Sequence, residues 1–226
     1  MSSVESTSKD EPMRIRGELW RLGSCLILAT LGLACGAAPK TNYYTVRLPQ
    51  PPVATDAGKG QLGVALPQAD HLLRQDRIVY FTQQHGLNYY QYHRWAEPPA
   101  SMVQSALIRR VQSAGLFGDV VPYRAQKGLD FVLRGRLLAL EEVDSGTEVS
   151  ARFGLQLELV RQEDAQVVWS GGHQCERPVG TKSVDAVVDA LSSCVEEGLA
   201  ELTRSLGAAV DELQRAAAAK QPEAKP

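Results

Sequence analysis

The run Glu148-Val149-Ser150-Ala151-Arg152-Phe153-Gly154-Leu155-Gln156-Leu157-Glu158-Leu159 decides the fold. Its apolar residues (Val149, Ala151, Phe153, Leu155, Leu157, Leu159) alternate without a break with Glu148, Ser150, Arg152, Gly154, Gln156 and Glu158. Successive side chains of a strand point to opposite faces, so this is a long strand with one apolar face and one wet face. Before it, Leu129 to Val143 reads as a second strand, joined through Asp144-Ser145-Gly146. After it, Gln166-Val167-Val168-Trp169-Ser170 follows the break at Glu163-Asp164. Together these predict a three-stranded antiparallel meander, with Gly171-Gly172 as a strand end or bulge rather than a phosphate cradle.

Downstream the period changes from two to the helical value. Ser183 can cap a helix running to about Gln214. Along it Val188, Leu191, Val195, Leu199, Leu202, Leu206, Val210 and Leu213 recur at spacings of 3, 4, 4, 3, 4, 4 and 3. That 11-residue repeat keeps one stripe facing one partner along a nearly straight helix. The stripe is short for a coiled coil, so the expected partner is the domain's own sheet.

Upstream, Tyr43 to Leu48 and Leu62 to Leu66 have strand composition. Arg77 to Thr82 and Leu87 to Tyr92 flank Gln83-Gln84-His85-Gly86 as a hairpin. Pro98 and Pro99 open a second helix that carries Met102, Val103, Ala106, Leu107, Val111 and Ala114 and stops at Gly115. Val120-Val121 is a short strand. The expectation is one α+β domain over residues 43–215: a mostly antiparallel sheet with two main helices packed on one face. Residues 216–226, rich in Ala, Lys and Pro, read as a disordered tail.

The N-terminus reads as an address. Residues 1–12 are polar and aperiodic, and Met13 can serve as the start as well as Met1. Arg14, Arg16 and Arg21 then precede the apolar run from Cys25 to Ala34. A positive segment, a short apolar segment and a small residue before the cut make a signal peptide, spanning residues 1–34 with the extension. Ten apolar residues fall short of the roughly 20 needed to span a bilayer as a permanent helix. The segment Leu31-Gly32-Leu33-Ala34-Cys35-Gly36 resembles a bacterial lipobox, in which the cysteine thiol takes a diacylglycerol and becomes the first residue. The plain alternative is an ordinary secretory cut with Cys35 a bystander. Gly36 stands where many inner-membrane lipoproteins carry Asp, and by that resemblance the outer membrane, on its periplasmic face, is favoured. Residues 35–42 form the lipidated Cys and its tether, short enough to hold the domain close to its membrane.

Composition excludes several functions. Lys and Arg total 24, Asp and Glu 26. Removing residues 1–34 takes four of each sign, so the formal charge stays at −2 and no electrostatic drive toward nucleic acid remains. His71, His85, His93 and His173 show no ligand spacing, so no metal site is expected. No nucleophile elbow, Walker loop or dinucleotide fingerprint occurs, and neither catalysis nor a cofactor is expected. Tyr89, Tyr90, Tyr92 and Trp95 can form a partner surface or half-buried strand packing. Cys175 and Cys194 remain as a pair in an oxidising compartment, either bonded or buried as free thiols.

A Cys followed by small residues, Pro39 and Tyr43-Tyr44-Thr45-Val46 resembles the mature start of the auxiliary lipoproteins of ABC-type intermembrane lipid transporters, of the mammalian-cell-entry (MCE) and paraquat-inducible type. The likeness continues through Leu62-Gly63-Val64, Arg77-Ile78-Val79-Tyr80, Arg94-Trp95-Ala96-Glu97-Pro98 and Val120-Val121-Pro122-Tyr123. The resemblance implies an accessory subunit with no reaction of its own. Its partners would be an MCE-domain protein and ABC transporter components, and its attachment would be a lipid anchor; separately, the long apolar stripe and the tyrosine-rich hairpin allow homo-oligomers. Trp95 then either pins the hairpin to the following helix or touches the MCE partner.

Overall fold

The computed structural model describes residues 39–50, 54, 58–82 and 86–220. The expected signal peptide, Cys35, His85 and the last six tail residues lie outside these described residues.

The domain, whose compact unit begins at Thr41, is built around one 14-residue strand. In chain order the strands are β1 (Asn42–Tyr44), β2 (Gln61–Val64), β3 (Gln68–Ala69), β4 (Arg77–Thr82), β5 (Leu87–Trp95), β6 (Asp119–Pro122), β7 (Phe131–Asp144), β8 (Val149–Arg161) and β9 (Val167–Val179). The helices are α1 (Pro99–Ser113) and α2 (Val184–Lys220). On one side of β7 lies β8 along its whole length, then β9. On the other side three short strands share its edge: β2 at Phe131–Leu133, β3 at Arg136–Leu137 and β4 at Glu142–Asp144. β6 extends the sheet beyond β2, and β5 then β1 extend it beyond β4.

The single α+β domain and its meander stand, but the sheet is mixed. The long ladders, β7 with β8 and β8 with β9, are antiparallel, as is β4 with β5. The five short pairings are parallel, three of them onto β7 itself. A parallel pair needs a long crossover, and the connection between the parallel partners β2 and β6 contains α1. Gly171-Gly172 is neither an end nor a bulge: β9 runs through it in register with Leu157 and Gln156. At Gly171 a side chain would meet the Trp169 ring at 2.6 Å and Leu202 at 3.0 Å, so a small residue lets this edge close on α2.

Both helices pack into the same apolar core. α1 starts at Pro99, whose missing N–H costs nothing in a first turn, and ends before Gly115 at φ +64°. α2 starts after Ser183, whose Oγ accepts from the Ala186 N–H at 3.3 Å. Its stripe Leu191, Val195, Leu199, Leu202, Leu206 and Val210 is buried against the apolar face of β8. The helix continues to Lys220, beyond Gln214 and into the segment expected as tail. The β7–β8 turn is held as its sequence suggests, with Gly146 N–H donating to Asp144 Oδ1 at 2.7 Å.

Of the expected first strand, Tyr43 to Leu48, only Tyr43 and Tyr44 pair, in a strand that begins at Asn42. Beyond it the chain lies across the helices. Thr45 Oγ1 approaches Met102 Sδ of α1, and Arg47 N–H donates to Ser192 Oγ of α2 at 3.1 Å. Val46 and Leu48 rest on the core between them.

Candidate functional site

Two groups of side chains stand apart from plain packing, one beside β1 and one along β9. The first is set by a bulge. Between Tyr89 and Arg94, β5 advances five residues while β4 advances two, from Val79 to Arg77. Tyr89 and Tyr90 point to opposite faces by plain strand alternation, and the extra residues bring Trp95 back to the inward face that Tyr90 shares. The four aromatic residues, open to reading as a partner surface or as half-buried packing, do not share one surface. Trp95 is 1% exposed, within the same core as Ile78 and Leu73, and its Nε1 has no hydrogen-bond partner among the described residues. Tyr92 is half-buried. Tyr89 is exposed on the face without helices, under the Arg77 guanidinium, which sits 5.0 Å from its ring centroid.

Tyr90 turns inward and joins residues that the sequence reading did not single out. Its ring lies 5.0 Å from Tyr80 and 5.7 Å from His93, and the His93 Nδ1 is 2.8 Å from Tyr44 Oη. Its hydroxyl donates to Glu142 Oε2 at 2.7 Å. Glu142 is 4% exposed, and burial raises its pKa above the usual carboxylate value despite that bond. Burial, then the bond to Glu142, raises the Tyr90 phenol well above the ordinary tyrosine range. Neighbouring Asp144 is shifted the other way, held low by the Gly146 N–H and by Lys182. Glu142 thus keeps a carboxylate inside the corner where the tether strand joins the sheet. The only legible signal was a pair of acids, Glu141-Glu142, interrupting the apolar run of β7. Glu141 faces the other way and pairs with Arg152, whose Nε donates to it at 2.8 Å.

The second group ties β9 to α2. Cys175 and Cys194 are joined as a disulfide with Cα atoms 5.6 Å apart, within the usual span of such a bond. Trp169 Nε1 donates to Ser205 Oγ at 3.1 Å, His173 Nδ1 to Glu201 Oε2 at 2.7 Å, and Arg177 Nη2 to Glu197 Oε2 at 2.9 Å. At Gly198 a side chain would meet His173 at 2.6 Å and Phe153 at 2.9 Å, so the helix comes close only because this residue lacks one. This arrangement clamps an edge strand.

An open groove of about 690 Å³ lies under the last turns of α2, floored by Phe117, Leu129, Phe131, Val210 and Leu213 and edged by Lys59 and Arg161. Among the described residues no cluster of His, Cys, Asp and Glu is arranged to hold a metal, and no helix is long and apolar enough to cross a membrane.

In both groups the polar side chains join one element of the α+β domain to another. The chain belongs to the family described as the ABC-type transport auxiliary lipoprotein component, whose model matches residues 44–207. The match begins at Tyr44, in the tether strand, and ends in α2. Among solved structures, protein XCC0632 from Xanthomonas campestris is similar at 22% identity and a TM-score of 0.65, over 78% of this chain and 99% of that one. An uncharacterized protein follows at 17% identity and a TM-score of 0.58, over 74% and 99%. These likenesses show the fold. No individually curated protein matches the chain.

Proposed function

We propose that the chain is a non-enzymatic accessory subunit of an MCE-type ABC system that moves lipid between the inner and outer membranes. An acylated Cys35 holds it at the outer membrane, facing the periplasm. The observation that carries this reading is the family match across residues 44–207, which makes the chain an auxiliary lipoprotein of ABC-type transport. The finer assignment is supported by Ala34-Cys35-Gly36 behind an arginine-flanked apolar run. It is supported as well by Arg94-Trp95-Ala96-Glu97-Pro98, the most specific piece of the likeness to MCE-system lipoproteins. In the fold that piece is the end of β5 and the turn into α1, where Trp95 braces the corner from inside.

The partner is asked for directly by a pulldown from detergent-solubilised envelopes. Enrichment of an MCE-domain protein or an ABC component over an unrelated anchored domain is the expected result. Recovery of neither, with other envelope proteins in their place, would assign the chain a structural role. Labelling with a palmitate analogue checks the anchor: label is expected on the native protein and absent after Cys35→Ser. Equal lack of label in both would leave an ordinary secreted protein.

A further inference from the structure

The corner formed by β1, β5 and β4 has a second face, opposite the helices, that neither packing nor the family match accounts for. Partnered residues on adjacent strands share a face, and residues two apart on one strand share it too. Tyr43 is registered with Arg94, Arg94 with Arg77, Val79 with Tyr89, and Phe81 with Leu87. Tyr43, Arg94, Arg77, Tyr89, Phe81 and Leu87 therefore make one surface around Val79, which shares the face and is itself 1% exposed. The inward residues Ile78 and Trp95, both buried in the core beneath the helices, confirm which side it is.

Its composition is unusual for an open sheet face. Tyr43 is 66% exposed, and Leu87 and Tyr89 are each 37% exposed. Arginines stand between the rings: Arg77 over Tyr89, and Arg152 at 5.9 Å from the Phe81 centroid. Arg94 is paired with Asp76 at 3.0 Å and Arg152 with Glu141, whereas Arg77 has no ion pair among the described residues. Amphipathic rings with arginines between them match the boundary of a phospholipid layer. There the rings sit at headgroup depth while guanidinium groups meet phosphate oxygens in bidentate pairs.

We propose that this face lies against the phospholipid surface that carries the protein's own anchor, with anionic headgroups meeting Arg77. The argument for that occupant is the length of the tether and where it ends. Asn42 stands seven positions after Cys35, a contour of at most about 25 Å, and Tyr43 is the next residue. From Arg94 to Tyr89 the ladder advances only two residues of β4, about 7 Å along the sheet, so the whole patch stays within reach of an anchored chain. The inference rests on the acylation of Cys35 and specifies which side of the domain that anchor presents to the membrane.

The test uses the acylated full-length chain in vesicles of phosphatidylethanolamine and phosphatidylglycerol. A photo-reactive phenylalanine replaces Tyr43 or Tyr89, and Val167, exposed on β9, serves as the control position. Lipid adducts are expected at Tyr43 and Tyr89 and not at Val167, and Arg77→Ser should lower the adduct yield at Tyr43 about fivefold, the loss of one cation near an anionic surface. A chain that floats with the vesicles yet gives no more adduct at Tyr43 and Tyr89 than at Val167 would overturn the inference and leave the anchor standing. A chain that does not float would overturn both. In isolated envelopes, a protein adduct in place of lipid at these two positions would overturn it in favour of a docking partner.

Discussion

Cutting the link between Cys175 and Cys194 should lower the stability of the domain by about 3 kcal/mol. The bond closes a loop with a sequence separation of 19, and in the chain-entropy model a loop of that size restricts the unfolded chain by roughly this amount. The folded state loses little by comparison. Cys194 is fully buried on the α2 stripe, where a free thiol is comfortable, and Trp169–Ser205, His173–Glu201 and Arg177–Glu197 still hold β9 to the helix. For a domain of this size 1 kcal/mol moves the midpoint by about 2 to 4 °C, so a shift of roughly 6 to 12 °C is expected. The assay is thermal unfolding with and without reductant, on the wild type and on a Cys175→Ala, Cys194→Ala variant. Reductant should lower the wild-type midpoint towards that of the variant and leave the variant unmoved. A wild-type midpoint indifferent to reductant, with two titratable thiols after denaturation, would refute the reasoning and make the pair merely buried.

Tyr90→Phe removes the one hydrogen bond to buried Glu142 and should cost about 2 kcal/mol in urea unfolding at neutral pH, whereas a loss below a few tenths would show the carboxylate to be solvated. Glu142→Gln tests the raised pKa. A group whose folded pKa lies above its unfolded value supports the fold below the unfolded pKa and loses that support as pH rises through the folded one. The glutamine variant should therefore gain on the wild type between mildly acidic and neutral pH, as read by paired urea titrations. Asp144, shifted low, works in the opposite sense but is common to both proteins. Leu199→Ala, at a fully buried position of α2, should destabilise by about 2 to 5 kcal/mol by calorimetry. Gly198→Val, placing a side chain against His173 and Phe153, should cost about 1 to 3 kcal/mol in the same measurement, and an unchanged midpoint would mean that the helix can lift off β9 freely.

What the sequence determined by itself is whatever repeats locally. Strict alternation from Val149 to Leu159 made β8 readable, because the strand period is written in neighbouring residues. The 3, 4, 4 spacing in α2 made both the helix and its buried stripe readable for the same reason. Pro98-Pro99 and Gly115 bracketed α1 by backbone chemistry alone. Even the partnership of Cys175 with Cys194 was open to counting, though the closeness of β9 and α2 that joins them was not. Tertiary structure decided the rest. Nothing local says that β2, β3 and β4 line up parallel on one edge of β7, since strand partners are chosen by burial of distant segments. Nor does the tyrosine run of β5 reveal that Tyr90 meets Glu142, that Tyr89 lies under Arg77, or that a bulge then returns Trp95 to the inward face. A shift of register by an odd number of residues moves side chains to the other face of a sheet, and that register is settled by contacts made across the fold.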